Sequence, residues 1–441
     1  MKKIISTVLS LSLLSVSALS MAACDTRPVL KVASWVDYID MGGDDSYVKG
    51  SKSLDKEFED WYYEQTGKKI RVDYIPMQDN ENMYTKLDIT KNTYDLLCPS
   101  EYMIMKMAAE NLLEKYPESF FDTSIETNYY AKNVSPYIKN IFDNGKTTDG
   151  SSWSDYAAGY MWGTTGFTFN RAKVEPEEVK TWYAYDKGHI ISAKENVRDS
   201  YFEGLGMYYE QELLALKGQL EAGTITLEQY QTALSQKMND TDAETMKAVE
   251  ALLKSKMNDK TNKSFWGFET DEKAPVFSGQ IDISYQWSGD AVYIMNEADG
   301  NDLRYDYCVP EAASNLWFDG WVMQKGANVE AATMFVNFLS KPENVIRNMY
   351  YINYTSCIAN ETIFEYIEET YAAQSEDTVE YDLSYFFGDG HKITADKEQL
   401  TRQLFAQYPD EETLKRCVIM NYFDSDANSR ANKMWNNVLA G

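Results

Sequence analysis

Val29-Leu30-Lys31-Val32-Ala33-Ser34-Trp35-Val36-Asp37-Tyr38 is a short apolar run that breaks off into two aromatic residues around a carboxylate. An apolar stretch of this length, rich in Val, suits a strand better than a helix. Residues 54–65 follow with helical spacing, an apolar stripe of Phe58, Trp61 and Tyr62, and a stop at Gly67. Residues 70–75 alternate as a second strand, residues 81–88 read as a second helix, and Asp95-Leu96-Leu97-Cys98 forms a third strand entering Pro99. Strands alternating with helices in this way predict an α/β fold with a parallel sheet and right-handed crossovers. Ligands in open α/β sheets bind at the carboxyl ends of the strands. That rule directs attention to the loops after Ser34, Ile75 and Cys98.

The chain begins with a leader. Lys2 and Lys3 precede a charge-free, Ser-rich apolar stretch over residues 4–21, which closes on Met21-Ala22-Ala23-Cys24. This order predicts a signal peptide over residues 1–23, because its flanks differ from those of a spanning helix. Cys24 resembles a bacterial lipobox cysteine, with Met21 where leucine is usual. The resemblance implies lipidation at Cys24, a tether over residues 24–28 and an extracytoplasmic chain anchored to the cell membrane. Ordinary secretion with a chance cysteine is the alternative. No later stretch of sequence is long and apolar enough to span a bilayer.

About 417 residues follow Cys24, more than one simple core holds, so two lobes are expected. The net charge is −27 over the whole sequence, and loss of Lys2 and Lys3 takes it from −27 to −29. Such a surface repels nucleic acid and attracts cations, so no nucleic-acid partner is expected. His189 and His391 are the only histidines, each alone in a polar stretch expected to be exposed. Zinc sites and Ser-His-Asp triads normally need a partnered histidine, which removes most hydrolase readings; no cofactor and no metal are expected. Cys98, Cys308, Cys357 and Cys417 are widely spaced, and either disulfides or buried free thiols fit them. Asp40, Asp44 and Asp45 are read as a solvated loop. Asp424-Ser425-Asp426 starts like a calcium loop, but the sixth-place glycine is missing and Trp435 stands at the twelfth place, so that reading is rejected.

Residues 208–258 are strongly helical and interrupted at Gly223. Thr226 and Gln229 have the spacing of a capping box, so an antiparallel helical hairpin plus a further helix is expected. Elsewhere a recurring pattern carries the chemistry: an aromatic residue beside a carboxylate where a strand should end. Trp35, Asp37 and Tyr38 are the first instance, Trp287 and Asp290 the second, Trp317 and Asp319 the third. Ser100 and Tyr102 follow the Cys98 strand, and Tyr354 follows residues 349–352. Aromatic faces sandwich methylenes and attract a cation, worth up to about 2 kcal/mol once desolvated. Carboxylates add charge-assisted hydrogen bonds to ammonium groups. Several converging buried acids are expensive without a cation to meet them. Any single Trp–Asp pair is more often a core tryptophan with a capping aspartate; three at strand ends are harder to attribute to chance.

These residues also carry a resemblance. The sequence resembles the bacterial spermidine/putrescine-binding proteins of polyamine ABC transporters. Trp35, Asp37 and Tyr38 match that family's opening N-W-x-[DE]-Y segment, with Ser34 in place of Asn. Residues 82–87, 94–102 and 160–166 resemble its next blocks, and Trp287 to Asp290, Trp317 to Asp319 and Ile352-Asn353-Tyr354 resemble later ones. The similarity covers most of the chain outside two insertions, around residues 41–53 and 208–258.

The resemblance implies a two-lobed periplasmic-binding-protein type II fold that closes by a hinge, with the helical insertion in the second lobe. The lobes are expected over residues 29–163 with 288–352, and 164–287 with 353–441, crossing near Gly163 and near Trp287 to Asp290. Trp35, Tyr38, Trp287 and Tyr354 would line a slot for the methylene chain. Asp37, Asp290 and Asp319 would hold amino groups, helped by Ser100 and Tyr102. Asp199 would be a ligand-binding carboxylate on the second lobe, with Arg198 orienting it, and Trp266 a further wall. Asn196 stands where a spermidine binder is expected to carry another acid, which tilts the reading toward putrescine. The implied mechanism is capture and closure by a monomer with no covalent step, followed by delivery to a permease and its ATPase. Rival readings are a same-fold binder of a quaternary amine or a sugar, and a surface glycosidase built on two of these acids.

Overall fold

The computed structural model describes residues 25–90, 94–257, 265–269 and 273–440. The predicted leader and Cys24 lie outside the described residues, as does the side chain of Trp266. No described helix is long and apolar enough to cross a membrane.

The first lobe opens as expected. β1 (Val29–Trp35) pairs in parallel with β2 (Arg71–Met77) and with β3 (Leu96–Leu97). The helix Leu54–Thr66 lies between the first two, and Gly67 ends it with a left-handed φ of 68°. Glycine takes that conformation at no steric cost, so the chain can reverse into β2. The remaining strands are β4 (Leu113–Glu114), β5 (Ala157–Asn170), β6 (Ile191–Lys194), β7 (Phe265–Glu269), β8 (Ile283–Trp287), β9 (Tyr305–Cys308), β10 (Ser314–Gln324), β11 (Thr355–Ser356), β12 (Thr378–Asp382), β13 (Lys392–Asp396) and β14 (Cys417–Val418). All but β12 and β13 join one continuous sheet, in the order β2-β1-β3-β10-β5-β8-β6-β7 along its main path.

Two long strands link the halves of that sheet. β5 runs for 14 uncharged, buried residues. Its first half, up to Thr164, pairs antiparallel with β10, and its second half, from Thr165, pairs with β8 and β9. β10 pairs with β14 at its start and with β3 and β4 at its end. The first crossing therefore falls at Gly163–Thr165. A Cβ on Gly163 would sit 2.2 Å from Ser288 Oγ and 2.8 Å from the Trp317 ring, so only glycine allows this approach.

The second crossing is β10 and not Trp287 to Asp290. β8 and β9 both pair with the second half of β5, which keeps residues 288–313 on that side. The end of the chain also departs from expectation. β11 pairs with Trp162 and Met161 in the first half of β5, Val134 bridges Ile358, and Ser135 Oγ donates to the Phe386 carbonyl at 2.7 Å. Residues 355–387 thus pack with the first half. The chain returns later, where Thr401 donates to Asp306 at 3.0 Å and Arg402 to Asp299 at 2.5 Å. These local pairings are what block-wise similarity along the sequence could not order.

The helical insertion starts earlier than expected, as helices Val197–Glu221, Leu227–Met238 and Ala243–Met257. Thr226 and Gln229 form the capping box reciprocally. Leu213, Tyr230, Leu234, Val249 and Leu253 are buried, and the terminal helix Ser425–Ala440 packs across the bundle. Asp40 corrects another expectation. It is 0 % exposed, and its carboxylate accepts from Arg347 Nε at 2.7 Å and Ser46 Oγ at 2.6 Å. Arg347 also reaches Glu57 and the Lys52 carbonyl, both at 2.8 Å, so the insertion after Met41 is pinned by a buried ion-pair network. His189 and His391 are half-buried and face Glu178 and Glu361. Cys98 and Cys357 are buried, and all four described cysteines are free thiols.

Candidate functional site

Three carboxylates converge where β1, β6 and β8 meet the crossing strands β5 and β10. Asp319 lies on β10, at a register irregularity before Gly320, and is bridged through its backbone to Ser100. The residue is 5 % exposed. Tyr38 Oη donates to Asp319 Oδ2 at 2.7 Å and Trp35 Nε1 donates to the same oxygen at 3.0 Å. Asp319 Oδ1 is buried with no hydrogen-bond donor at good geometry. Burial pushes the Asp319 carboxyl up from its ordinary range, and nearby Ser100, Tyr38 and Trp35 pull it only part of the way back.

Asp290 sits in the first turn of the helix Ser288–Asp299, directly after β8, and is 7 % exposed. Tyr354 Oη donates to Asp290 Oδ1 at 2.9 Å. Two ammonium groups also reach it, Lys194 Nζ at 3.2 Å and Lys273 Nζ at 3.3 Å. Burial alone would raise the Asp290 carboxyl, but Lys194, Lys273 and Tyr354 outweigh it and hold the group below its ordinary range.

Asp199 lies in the first turn of the helix Val197–Glu221. Asn196 caps that helix by accepting from the Asp199 backbone at 2.7 Å, and its amide donates to the Asp199 carboxylate at 2.5 Å. Burial still pushes the Asp199 carboxyl up, against Asn196, Lys194, Arg198 and Trp287.

Aromatic rings connect these acids. The Tyr38 and Tyr354 rings meet edge to face at 5.9 Å, and Trp317 meets Tyr354 at 5.4 Å. Tyr160 packs on Tyr38 and donates to its carbonyl at 2.6 Å. A continuous path therefore runs from Asp319 through Tyr38 and Tyr354 to Asp290. Trp287 forms a further wall, with Lys194 Nζ 4.1 Å from its ring centroid.

Tyr102 and Ser100 stand beside this path. Tyr102 Oη donates to Glu81 at 3.2 Å, and its ring carries the Arg198 guanidinium at 4.2 Å, a contact between the two lobes. Ser100 accepts from and donates to the Asn80 side chain. Arg198 does not hydrogen-bond Asp199. It lies against Phe423 at 3.7 Å and donates to the Asn421 carbonyl at 2.6 Å. Asp37 stays in solvent, in the turn after β1, with a left-handed φ of 52°, and it joins none of the three carboxylates.

Four charged residues at the site were not singled out from the sequence. Glu101 is buried beside Asp319 and accepts from the Phe318 backbone at 3.3 Å; Glu81, Lys273 and Lys194 are the others. Lys194 had a readable signal, because it is a lysine at the carboxyl end of a short apolar strand, two residues before the Asn196 helix cap.

A hollow of about 110 Å³ lies away from these residues, lined by Trp61, Phe120, Asn128 and Asn337. It holds no charged group, and Asn128 and Asn337 already bond backbone atoms, so it offers nothing to a cationic ligand.

The chain is 26% identical over 328 residues to the spermidine/putrescine-binding periplasmic protein of Escherichia coli, covering 74% of this chain and 76% of that one. It is 26% identical over 351 residues to the putrescine-binding periplasmic protein SpuD of Pseudomonas aeruginosa, covering 78% and 82%. The solved spermidine/putrescine ABC transporter substrate-binding protein PotD of Streptococcus pneumoniae shares the two-lobed fold, with a TM-score of 0.58, 24% identity, and coverage of 94% and 99%. Residues 54–371 match the bacterial extracellular solute-binding protein family, and the chain belongs to it.

Proposed function

We propose that this protein captures a polyamine of the putrescine or spermidine class outside the cytoplasm and delivers it to an ABC importer. The observation that carries the reading is the set of three buried carboxylates, Asp319, Asp290 and Asp199, gathered along a path of aromatic rings at the carboxyl ends of the sheet strands. An alkyl chain with ammonium ends matches that arrangement, because rings take the methylenes and carboxylates take the charges. The names of the relatives support the same class. Trp35, Tyr38, Trp287 and Tyr354 form the walls; Asp319, Asp290 and Asp199 are the anionic anchors; Ser100 and Tyr102 position Asp319 and the lobe contact. Asp37 contributes at the mouth, in solvent. β5 and β10 are the hinge about which the lobes close. The chain works as a monomer, catalyses no reaction, and is tethered to the membrane through a lipid on Cys24.

Isothermal calorimetry of the chain from Asp25 onward tests this, with putrescine, spermidine, cadaverine and glycine betaine as ligands. One-to-one binding of a di- or triamine is expected. Binding of the betaine alone, or of none of the four, would remove the substrate assignment and leave the fold standing.

A further inference from the structure

Lys194 is chemically one end of a polyamine. Its side chain is four methylenes ending in an ammonium, and it lies as such a ligand would. The ammonium is 3.2 Å from Asp290 Oδ2 and 4.1 Å from the Trp287 ring centroid, and the side chain is 2 % exposed. The backbone on either side is fixed: the Lys194 N–H donates to Glu203 at 3.2 Å and its carbonyl accepts from Ser200 Oγ at 2.6 Å. β6 therefore delivers this ammonium to the acidic centre as part of the fold.

The charges around the slot then divide unevenly. Asp290 has two resident ammonium groups, from Lys194 and Lys273. Glu81 and Glu101 face Arg198 electrostatically, and each also accepts a hydrogen bond, from Tyr102 and from the Phe318 backbone. Asp319 receives only neutral donors and keeps one buried oxygen without a donor at good geometry. Asp199 receives a neutral amide and only through-space help from Lys194 and Arg198. Burial raises both of these carboxyls, whereas Asp290 is held down. Two of the three anchors thus still need a cation.

We propose that Lys194 takes the place of one ligand ammonium at Asp290 and thereby sets the ligand's charge, so that the site selects a diamine and rejects a triamine. The inference rests on the polyamine reading and specifies it. A third ammonium would meet Lys194 and Lys273 where it needs a carboxylate, and close like charges oppose binding strongly in a site shielded from water.

Calorimetry with putrescine and spermidine on the parent and on Lys194→Met separates the possibilities. Methionine keeps an apolar stem over Trp287, and Asp290 keeps Lys273 and Tyr354, so the variant does not strand a bare carboxylate. The parent is expected to bind putrescine at least tenfold more tightly than spermidine. Lys194→Met is expected to shrink that ratio at least tenfold by gaining spermidine affinity, and Lys194→Arg to retain the parent's preference. A residue that merely packs would weaken both ligands together and leave the ratio unchanged, which overturns the proposal. A parent that prefers spermidine overturns it too. If Lys194→Met does not fold, Lys194→Gln is read by the same ratio. Binding of neither amine by the parent or any variant would instead sink the polyamine reading, and this inference with it.

Discussion

Tyr38 donates its hydroxyl hydrogen to the same Asp319 oxygen that the Trp35 indole reaches, at 2.7 and 3.0 Å, so both aromatic walls of the first lobe are oriented by one carboxylate. That carboxylate is buried and raised by its burial, with neutral donors only. A group whose folded-state pKa lies above its unfolded value favours the folded state at low pH, and that contribution is lost as pH rises through the folded value. Asp319→Asn removes the penalty of the buried charge together with the anchor for a ligand ammonium. The ligand-free variant is expected to gain stability relative to the parent as pH rises from 5 to 8, while polyamine affinity falls at least a hundredfold. Melting curves at the two pH values and calorimetry check it. A variant that binds like the parent would show that Asp319 is not an anchor.

Glu203 gives a second pH dependence, separable from the ligand. It is buried on the helix Val197–Glu221, receives hydrogen bonds from Tyr185 Oη and the Lys194 backbone, and is pushed up by burial to about 8. Between the unfolded carboxylate range and pH 8 the folded state holds a proton that the unfolded chain has released. Stability is therefore expected to fall as pH rises across that window, by up to about 1.4 kcal/mol per pH unit from this one group. Denaturant unfolding from pH 5 to pH 8 should show a shallower slope in Glu203→Gln than in the parent. Parallel slopes would mean that Glu203 is ionised in the fold.

The parallel opening of the sheet was legible in the sequence because residues 29–34 and 95–98 hold short apolar runs and residues 70–75 alternate apolar with polar. So were the helical insertion and its Thr226 cap, since the capping box is local. The aromatic–acid pairs marked Asp319 and Asp290, which the structure places at the two ends of one ring path. Glu81 and Glu101 were not legible, because a charged residue in a sequence reads as solvent-exposed until its partner in the fold is known. The same reason hid Asp40. Its partner Arg347 is 307 positions away, and nothing near Asp40 announces an ion pair. The second crossing was misplaced because Trp317 to Asp319 reads as a strand end like Trp287 to Asp290, whereas β10 continues through Asp319 to Gln324, and only the pairing along β5 tells the two apart.

The Asp40–Arg347 pair also makes a stability prediction. Arg347 is the shared donor to Asp40, Glu57, Ser51 and the Lys52 carbonyl, and Asp40 is fully buried. Arg347→Ala leaves that carboxylate uncompensated, which typically costs about 3–5 kcal/mol. Urea unfolding at pH 7 is expected to show a loss of that size. Asp40→Asn combined with Arg347→Met should recover part of it, because the double variant carries no unpaired buried charge. Equal losses in the single and double variants would mean that packing, and not charge pairing, holds the loop.

Gly289 allows the ring path to close, and its substitution tests the path with little change to the fold. A Cβ there would stand 2.1 Å from Tyr354 Cδ2 and 2.4 Å from Cγ, at the fixed base of the ring, so the clash cannot be relieved by a small rotation of its tip. Gly289→Ala must swing Tyr354 away, which breaks its 2.9 Å bond to Asp290 and its edge contacts with Tyr38 and Trp317 together. Tyr354→Phe removes the hydroxyl alone and keeps the wall; a single hydrogen bond of this kind is worth about 0.5–1.5 kcal/mol, or several-fold in affinity. Overpacking by one methyl group typically costs about 1–3 kcal/mol of stability, which a chain of this size can absorb. Gly289→Ala is therefore expected to fold, to melt a few degrees lower, and to lose at least ten times more polyamine affinity than Tyr354→Phe. Calorimetry on the two variants makes the comparison. Gly289→Ala binding within twofold of Tyr354→Phe would mean that the ligand does not rest against Tyr354, and the slot would have to run along Trp287 instead.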